Sequence, residues 1–463
     1  MRWWASAVAA AVGGSLSGPD VEVDGATIDS RRIRGGELFV PVRAARDGHD
    51  FIPAALAAGA RAYLTARAPG EGTAVAVAEP AAALVELGRA ARRRLPDRVV
   101  GVTGSAGKTS TKDLLASALA GPFRPAASER SFNNELGVPL TLLNAPEDTD
   151  AAVVELGARG VGHIRMLCSV ARPTVGVVTN VGLAHTEMLG DLDGVARAKS
   201  ELVEALPPSG TAVLNAEDER VMAMRSATEA GVLTFGIERG DVRAADLSLD
   251  PELRPTFRLR SPWGDADVLL EVRGAHHAAN AAAAAAAALA VGAPLEAVAS
   301  GLGRARLSPW RMEMARSAAG GVVLNDAYNA NPASTEAALR SLAAVAARRR
   351  VAVLGPMLEL GEHSAGAHRR IAELAGALGI ELITVAAPAY GAEDVADLQA
   401  AAAAVGPVGP DAAVLVKGSR AAGLERLAAL LLAAASSATP PPGPPGPAGP
   451  APGTPPPGEA VGW

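Results

Sequence analysis

The sequence predicts an α/β protein of three successive domains followed by a structureless tail. Three observations carry this. At 463 residues the chain exceeds what one ordinary core serves. Three stretches alternate short apolar strands with helical patterns, as in parallel sheets covered by helices. The second stretch opens on a glycine-rich run set between a strand and a helix. The boundaries fall at 1–97, 98–315, 316–437 and 438–463.

The first unit is a small α/β domain. Met1-Arg2-Trp3-Trp4 and the alanine-rich run to Val12 read as an amphipathic helix ending at Gly13-Gly14 rather than a secretion signal. Strand candidates lie at 37–42, 62–65 and 74–77, and helices end at Gly59 and run from Pro80 to Arg94. Arg92-Arg93-Arg94 reads as a solvated helix end, where cations suit the helix dipole.

The second unit begins with a strand at 99–102, the run Gly101 to Ser110, and a helix from Thr111 to Leu119. Strand, glycine loop and helix form the geometry that cradles phosphate on backbone N–H groups. The pattern present is G-x-x-G-K-T, with Val102 where the longer P-loop has glycine. Lys108 is expected to reach terminal phosphates and Thr109 to hold magnesium. Strands at 151–157, 174–180 and 212–215 follow, so Thr109, Glu155 and His185 each lie at or just beyond a strand's carboxyl end, where α/β sheets bind ligands. Ala278 to Ala290 is a buried helix rather than a membrane span, since alanine partitions poorly into lipid.

The third unit repeats the doubly wound pattern, with strands at 322–325, 351–355, 382–385 and 413–417 and helices at 333–347, 364–378 and 420–434. Residues 440–458 are almost all Pro, Gly, Ala and Thr, the composition of a disordered extension. A net charge of −6 argues against a nucleic-acid partner, and the single cysteine, Cys168, fits a reducing cytoplasm.

Taken together, these motifs resemble the Mur ligase family of ATP-dependent amide ligases, over roughly residues 20–435. The resemblance rests on Thr103 to Thr109, Val154-Glu155-Leu156-Gly157, Asn180 to His185, Ala198-Lys199-Ser200-Glu201 and His277 to Ala282. The short G-x-x-G-K-T is the family's own form of the loop. The family fold implied is a small UDP-substrate domain, a central P-loop ATPase-like domain and a C-terminal Rossmann-like domain. Three stretches, Asn133 to Leu143, Asn325 to Pro332 and Leu358 to Gly361, look like the members that add D-alanyl-D-alanine to UDP-N-acetylmuramoyl-tripeptide. The alternative is another Mur-type ligase or a folylpolyglutamate synthase-like enzyme.

The resemblance implies roles residue by residue. Gly104, Ser105, Ala106, Gly107, Lys108, Thr109 and Ser110 are similar to the ATP-phosphate cradle, with Lys108 as the clamp. Thr109, Glu155 and His185 resemble magnesium ligands. Lys199 resembles a lysine that is carbamylated in several members, the alternative being a helix-surface lysine beside Glu201 and Glu204. Asn280, Arg311 and Asp326 resemble nucleotide contacts. Trp310 stands where relatives carry the glycine of P-G-R, and Pro356 stands where an acidic residue is usual. Tyr328, Asn329 and Asn331 resemble nucleotide or dipeptide contacts, or else an Asn-rich turn before a helix. Asn133, Asn134 and Lys417 are substrate candidates, and Ser30 and Arg31 resemble contacts to the UDP end. A cytoplasmic monomer without membrane insertion is expected.

Overall fold

The computed structural model describes residues 1–184 and 186–434. The expected tail at 438–463 and His185 both lie outside the described residues.

Three large sheets follow one another along the chain, and the first domain adds an antiparallel pair, Arg2–Trp4 with Glu22–Asp24, so the helix expected from the N-terminal run begins only at Ala5. The first large sheet has five strands, running from Ser15–Ser17 through Thr73–Ala76, Ala62–Thr65 and Leu38–Phe39 to Ala26–Thr27. Only the first of these pairs antiparallel. Helix Ala5–Val12 stops at Gly13, whose left-handed φ of 63° makes the C-cap. Helix Pro80–Arg92 starts with proline inside its first turn, capped by Glu79 accepting from Ala82 N at 2.6 Å. Its end is not the solvated run the pattern suggested. Arg92 is buried, and its guanidinium donates to the carbonyls of Ala171 (2.7 Å) and Leu95 (3.1 Å). Only Arg93 and Arg94 face solvent.

The central sheet has nine strands. Pro125–Ala127, Ala151–Glu155, Val99–Thr103, Val175–Val178, Thr211–Asn215, Gly231–Gly236 and Val242–Leu249 run parallel. The hairpin Pro255–Ser261 and Gly264–Leu269 adds two antiparallel strands at the edge. The strand pattern above missed everything from Gly231 to Leu269. Strand Val99–Thr103 lies between Ala151–Glu155 and Val175–Val178, and the chain leaves it toward one side before returning to the other. That reversal makes the crevice in which such sheets bind ligands. Helix His276–Ala290 packs under the sheet with every alanine from Ala281 to Ala288 fully buried, so small side chains let helix Lys108–Leu119 and the sheet approach closely.

The third sheet has six strands: Glu313–Arg316, Val322–Asn325, Ala412–Lys417, Arg349–Leu354, Glu381–Val385 and Glu393–Val395. All but the first run parallel. Helix Pro332–Ala344 opens with a capping box between Asn331 and Ser334. Helix Leu398–Val405 was not anticipated, and the last helix is Glu425–Ala433 rather than 420–434. No helix among the described residues is long and apolar enough to cross a membrane.

Candidate active site

A cavity of about 890 Å³ opens between the carboxyl ends of the central strands and the third domain. The loop after Val99–Thr103 forms its floor. Gly104 has a φ of 149°, and a Cβ there would collide with Thr179 Oγ1. Gly107 has a φ of 78°, and its Cβ would stand 2.5 Å from Asn280 Oδ1. Both positions therefore need glycine. The loop is fastened from the neighbouring strand: Ala106 N donates to Asn180 Oδ1 (2.9 Å), Thr179 Oγ1 donates to Ala106 O (2.6 Å), and Gly182 N donates to Ser105 Oγ (2.9 Å).

Helix Lys108–Leu119 begins at the loop, so Lys108, Thr109 and Ser110 sit in its first turn beside the cavity. Lys108 Nζ donates to Gly104 O at 2.8 Å. The packed walls push its amine below the ordinary lysine value, while Glu155 and Glu359 pull it back up. Thr109 Oγ1 donates to Glu155 Oε2 at 2.7 Å, and Asn133 Nδ2 donates to Glu155 Oε1 at 2.7 Å. Glu155 is buried, which removes the reading of a strand-end carboxylate facing solvent. Lys199 is buried too, and is not a surface lysine paired with its helix neighbours. Glu201 instead accepts from the backbone of Gly162 and from Arg165 N (2.9 Å), and Glu204 holds Arg165 (2.8 Å). Burial, and then the nearby Lys108, push the Lys199 amine well below its usual range.

The third domain supplies the opposite wall. Asn331 caps its helix through Oδ1, accepting from Ser334 N at 2.9 Å, while Nδ2 donates to Ser105 O at 3.2 Å. The turn reading and the site reading of Asn331 are thus both satisfied by one side chain. Asp326 Oδ2 accepts from Lys417 Nζ (2.6 Å), which also donates to Asn329 O (2.8 Å). Asp326 Oδ1 accepts from Met312 N at 3.1 Å. Arg311 lies over the Tyr328 ring at 4.2 Å, and the Tyr328 hydroxyl meets Ser131 of the central domain. The loop at Pro356 keeps its place without an acidic side chain, because Met357 N donates to His368 Nε2 (3.0 Å) and Leu358 N to Ser419 Oγ (2.9 Å).

Of the residues singled out above, the cavity brings together Ser105 to Ser110, Asn133, Asn134, Glu155, Asn280, Arg311, Asp326, Tyr328, Asn329, Asn331 and Lys417. Gly104 and Lys199 lie behind its wall. Ser30 and Arg31 do not line it. They form a short turn of the first domain, where the Arg31 guanidinium is gripped by Asp29 at 2.9 and 2.8 Å. The adjoining Arg32 bridges toward the cavity side, pairing with Glu129 and covering the Phe132 ring.

Sequence reasoning missed several lining residues: Arg159, His163 and His276, with His277 counted only as part of a motif, whereas Arg420 ends Lys417-Gly418-Ser419-Arg420, the stretch that resembles an anion or dipeptide-carboxylate site. The two adjacent histidines stack at 4.1 Å, and among the described residues His276 Nδ1 and His277 Nε2 have no partner. Burial lowers His276 to about 4 and pushes His277 well below the ordinary histidine value, so both favour the neutral imidazole at neutral pH. Their place at the mouth of a helix otherwise built of alanine was the available signal.

Comparison with known proteins agrees across all three domains. The chain matches the models for the Mur ligase family, catalytic domain (residues 22–101), the Mur ligase middle domain (102–288) and the Mur ligase, glutamate ligase domain (310–433). It is 40% identical to a Mycobacterium tuberculosis protein named UDP-N-acetylmuramoyl-tripeptide–D-alanyl-D-alanine ligase, covering 88% of this chain and 91% of the relative. The Escherichia coli protein of the same name is 36% identical over 80% of this chain and 82% of its own. Among solved structures, MurF from Acinetobacter baumannii superposes with a TM-score of 0.83 at 31% identity, covering 93% of this chain and 99% of the other. MurF from Thermotoga maritima, in complex with ADP, gives 0.77 at 27% identity, covering 88% and 97%. With three successive domain matches, relatives aligned over most of their length, and a phosphate loop facing an Asn-rich third-domain wall, the chain belongs to the Mur ligase family.

Proposed function

We propose that this protein is the ATP-dependent ligase that joins D-alanyl-D-alanine to UDP-N-acetylmuramoyl-tripeptide, yielding the pentapeptide precursor of peptidoglycan, ADP and phosphate. The observation that carries this is the meeting, in one cavity, of the phosphate loop and Glu155 with the Tyr328-Asn329-Ala330-Asn331 turn and Lys417. Relatives similar over most of the chain carry that activity in their names.

Condensing a carboxylate with an amine in water is unfavourable, so the carboxylate must first be activated. The tripeptide's terminal carboxylate oxygen attacks the γ-phosphorus of ATP, and the bond to the β-bridging oxygen breaks, releasing ADP. The dipeptide's neutral amine then adds to the acyl carbon of the resulting acyl phosphate. Phosphate leaves, and the amine's extra proton passes to the site. In the first step one anion approaches another. Lys108 and the loop N–H groups lower that repulsion and follow the charge onto the leaving group.

Magnesium fits the donor set. Thr109 and Glu155 present hard oxygens 2.7 Å apart beside the loop, and Asn133 fixes the second carboxylate oxygen. Bound there with phosphate oxygens, the ion would neutralise charge on the triphosphate. His185 is a proposed ligand outside the described residues. The depressed Lys199 amine is the neutral nucleophile that carbon dioxide requires, and the N–C bond forms with loss of a proton, giving a carbamate. Ser30 and Arg31 are proposed to meet the UDP end, since the first domain abuts the segment leading to Asn133. A monomer is proposed, and the nucleotide substrates suit the cytoplasm.

The test is ligation by the purified protein with magnesium ATP, D-alanyl-D-alanine and UDP-N-acetylmuramoyl-tripeptides bearing diaminopimelate or lysine. Phosphate release should match pentapeptide formed by mass spectrometry. Activity with folate and glutamate alone would sink the assignment.

A further inference from the structure

Lys112 is a buried cation that the ligation steps above do not use. It stands one helical turn beyond Lys108 on helix Lys108–Leu119, and only 2% of it is exposed. A buried ammonium is costly unless its donors are engaged and its charge is answered. Both conditions are met. Nζ donates to Ser128 O at 2.7 Å and to Arg130 O at 3.0 Å, and it lies 2.6 Å from Asp113 Oδ1. Asp113 Oδ2 accepts from Ser308 N at 2.7 Å, so the counter-charge is itself held in place. A well-packed apolar side chain of similar volume would fill this space at no loss of stability, so packing does not account for the charge.

What the ammonium grips is the chain between strand Pro125–Ala127 and helix Gly137–Leu143. Arg130 has a left-handed φ of 49° there. A β-carbon resists that conformation, so the surroundings must impose it, and Lys112 holds the carbonyl of this very residue. The three residues that follow reach all three domains. Ser131 meets the Tyr328 hydroxyl of the third, the Phe132 ring lies under Arg32 of the first, and Asn133 Nδ2 donates to Glu155 of the central sheet at 2.7 Å. Ser131 and Asn133 line the cavity. An acceptor whose UDP end rests on the first domain must pass this segment to bring its carboxylate to the phosphate loop.

We propose that Lys112 is a positioning residue for the acceptor: it fixes residues 128–133 so that the tripeptide's terminal carboxylate is held in line with the γ-phosphorus of ATP. This rests on the ligase reading above. The experiment is steady-state ligation by the full chain, with KM measured separately for tripeptide and ATP, alongside hydrogen exchange. Lys112→Met keeps the volume and loses the donors. It should raise the tripeptide KM about 3- to 10-fold and lower kcat about 10- to 100-fold, with KM for ATP within about twofold of wild type. Lys112→Gln keeps two N–H donors without the charge and should fall between. Amides of residues 129–134 should exchange faster in Lys112→Met, while strand Val99–Thr103 keeps its protection, which separates a loosened segment from a loosened domain. Because Lys112 acts through the segment, Lys112→Met should change the tripeptide KM less in an Asn133→Ala background than alone. Unchanged tripeptide KM and kcat, equal increases in both KM values, or effects that simply add to those of Asn133→Ala would each overturn the proposal. If Lys112→Met does not fold, Lys112→Gln faces the same criteria. If the wild type does not ligate the dipeptide at all, the functional reading itself fails, and the exchange comparison still decides whether Lys112 fixes the segment.

Discussion

Burial pushes the Lys199 amine well below its ordinary range, and that has a measurable signature. Its folded-state amine is acidic relative to the ordinary value of 10.5, so the unfolded chain holds a proton that the folded chain releases. Stability therefore climbs with pH up to about 10.5. Lys199→Met removes the buried amine while keeping much of its volume. In buffer freed of carbon dioxide it should unfold at higher urea than the wild type, while ligation falls on the order of 10²-fold or more. Adding bicarbonate should raise the wild-type midpoint and leave the variant unchanged. No bicarbonate effect on the wild type would argue against the carbamate. His276 has the same sign in a lower window. With a folded value of about 4 against 6.5 unfolded, it weakens the protein as pH falls from 6.5 to 4, by up to about 3 kcal/mol. His276→Gln should flatten that part of the urea-midpoint profile, and an unchanged slope would show that the imidazole is not the group responsible. At this scale the sequence was readable where chemistry is local. Lys108, Thr109 and the glycines announce themselves within one loop. Arg92 did not, because the carbonyl at Ala171 that makes its burial tolerable belongs to another helix. Lys199 looked equally at home beside Glu201 until the fold gave Glu201 to a helix start.

Elements carry their functional residues by their ends. Glu155 is the last residue of its strand, Thr109 lies in the first turn of its helix, and Asn331 is an N-cap. Asn331 joins two scales, since one amide closes its own helix and reaches Ser105 O on the phosphate loop. Asn331→Ala should cost about 1 kcal/mol as a lost cap and also raise KM for ATP. Asn331→Asp keeps the cap and loses the donor to Ser105, so it should recover stability but not the ATP KM. If both variants bind ATP like the wild type, the contact with the loop is incidental. The pattern located most strands and helices of the parallel sheets, because buried apolar runs bounded by turns are distinctive. It missed the hairpin from Pro255 to Leu269, where outward-facing arginines and aspartates alternate with the buried Phe257, Leu259 and Val268 and pair across the strands, as Arg258 does with Asp265 and Asp267 at 3.2 Å. There the stabilising contacts are cross-strand and leave no apolar run to read.

At the scale of the whole molecule, the reaction requires two domains to act on one cavity. The third domain meets the central one by Asn331 at Ser105 O, Tyr328 at Ser131, Thr186 Oγ1 donating to Leu360 O at 3.0 Å and Glu187 N donating to Glu359 O at 3.2 Å, and its core takes in Leu253 with Leu183 and Leu249 packed against it. Inter-domain contacts of this mixed polar and apolar kind permit relative motion. The cavity between them is therefore completed most firmly by what it binds. ATP would touch Lys108 and Asn280 on one side and Asp326 and Asn331 on the other, acting as a bridge. Such a ligand stabilises whichever parts must be folded to hold it, by about 2.7 kcal/mol at a hundred times its dissociation constant. Calorimetry without nucleotide should show the third domain unfolding in its own, lower transition, identified by hydrogen exchange in strands Arg349–Leu354 and Ala412–Lys417. A non-hydrolysable ATP analogue with magnesium should move that transition upward until it merges with that of the central domain. Lys108→Ala should prevent the merging, because it weakens the bridge at its central end without touching the third domain. If saturating nucleotide raises the central transition and leaves the lower one where it was, the third domain takes no part in holding ATP, and Asp326 and Asn331 must be assigned to the dipeptide instead.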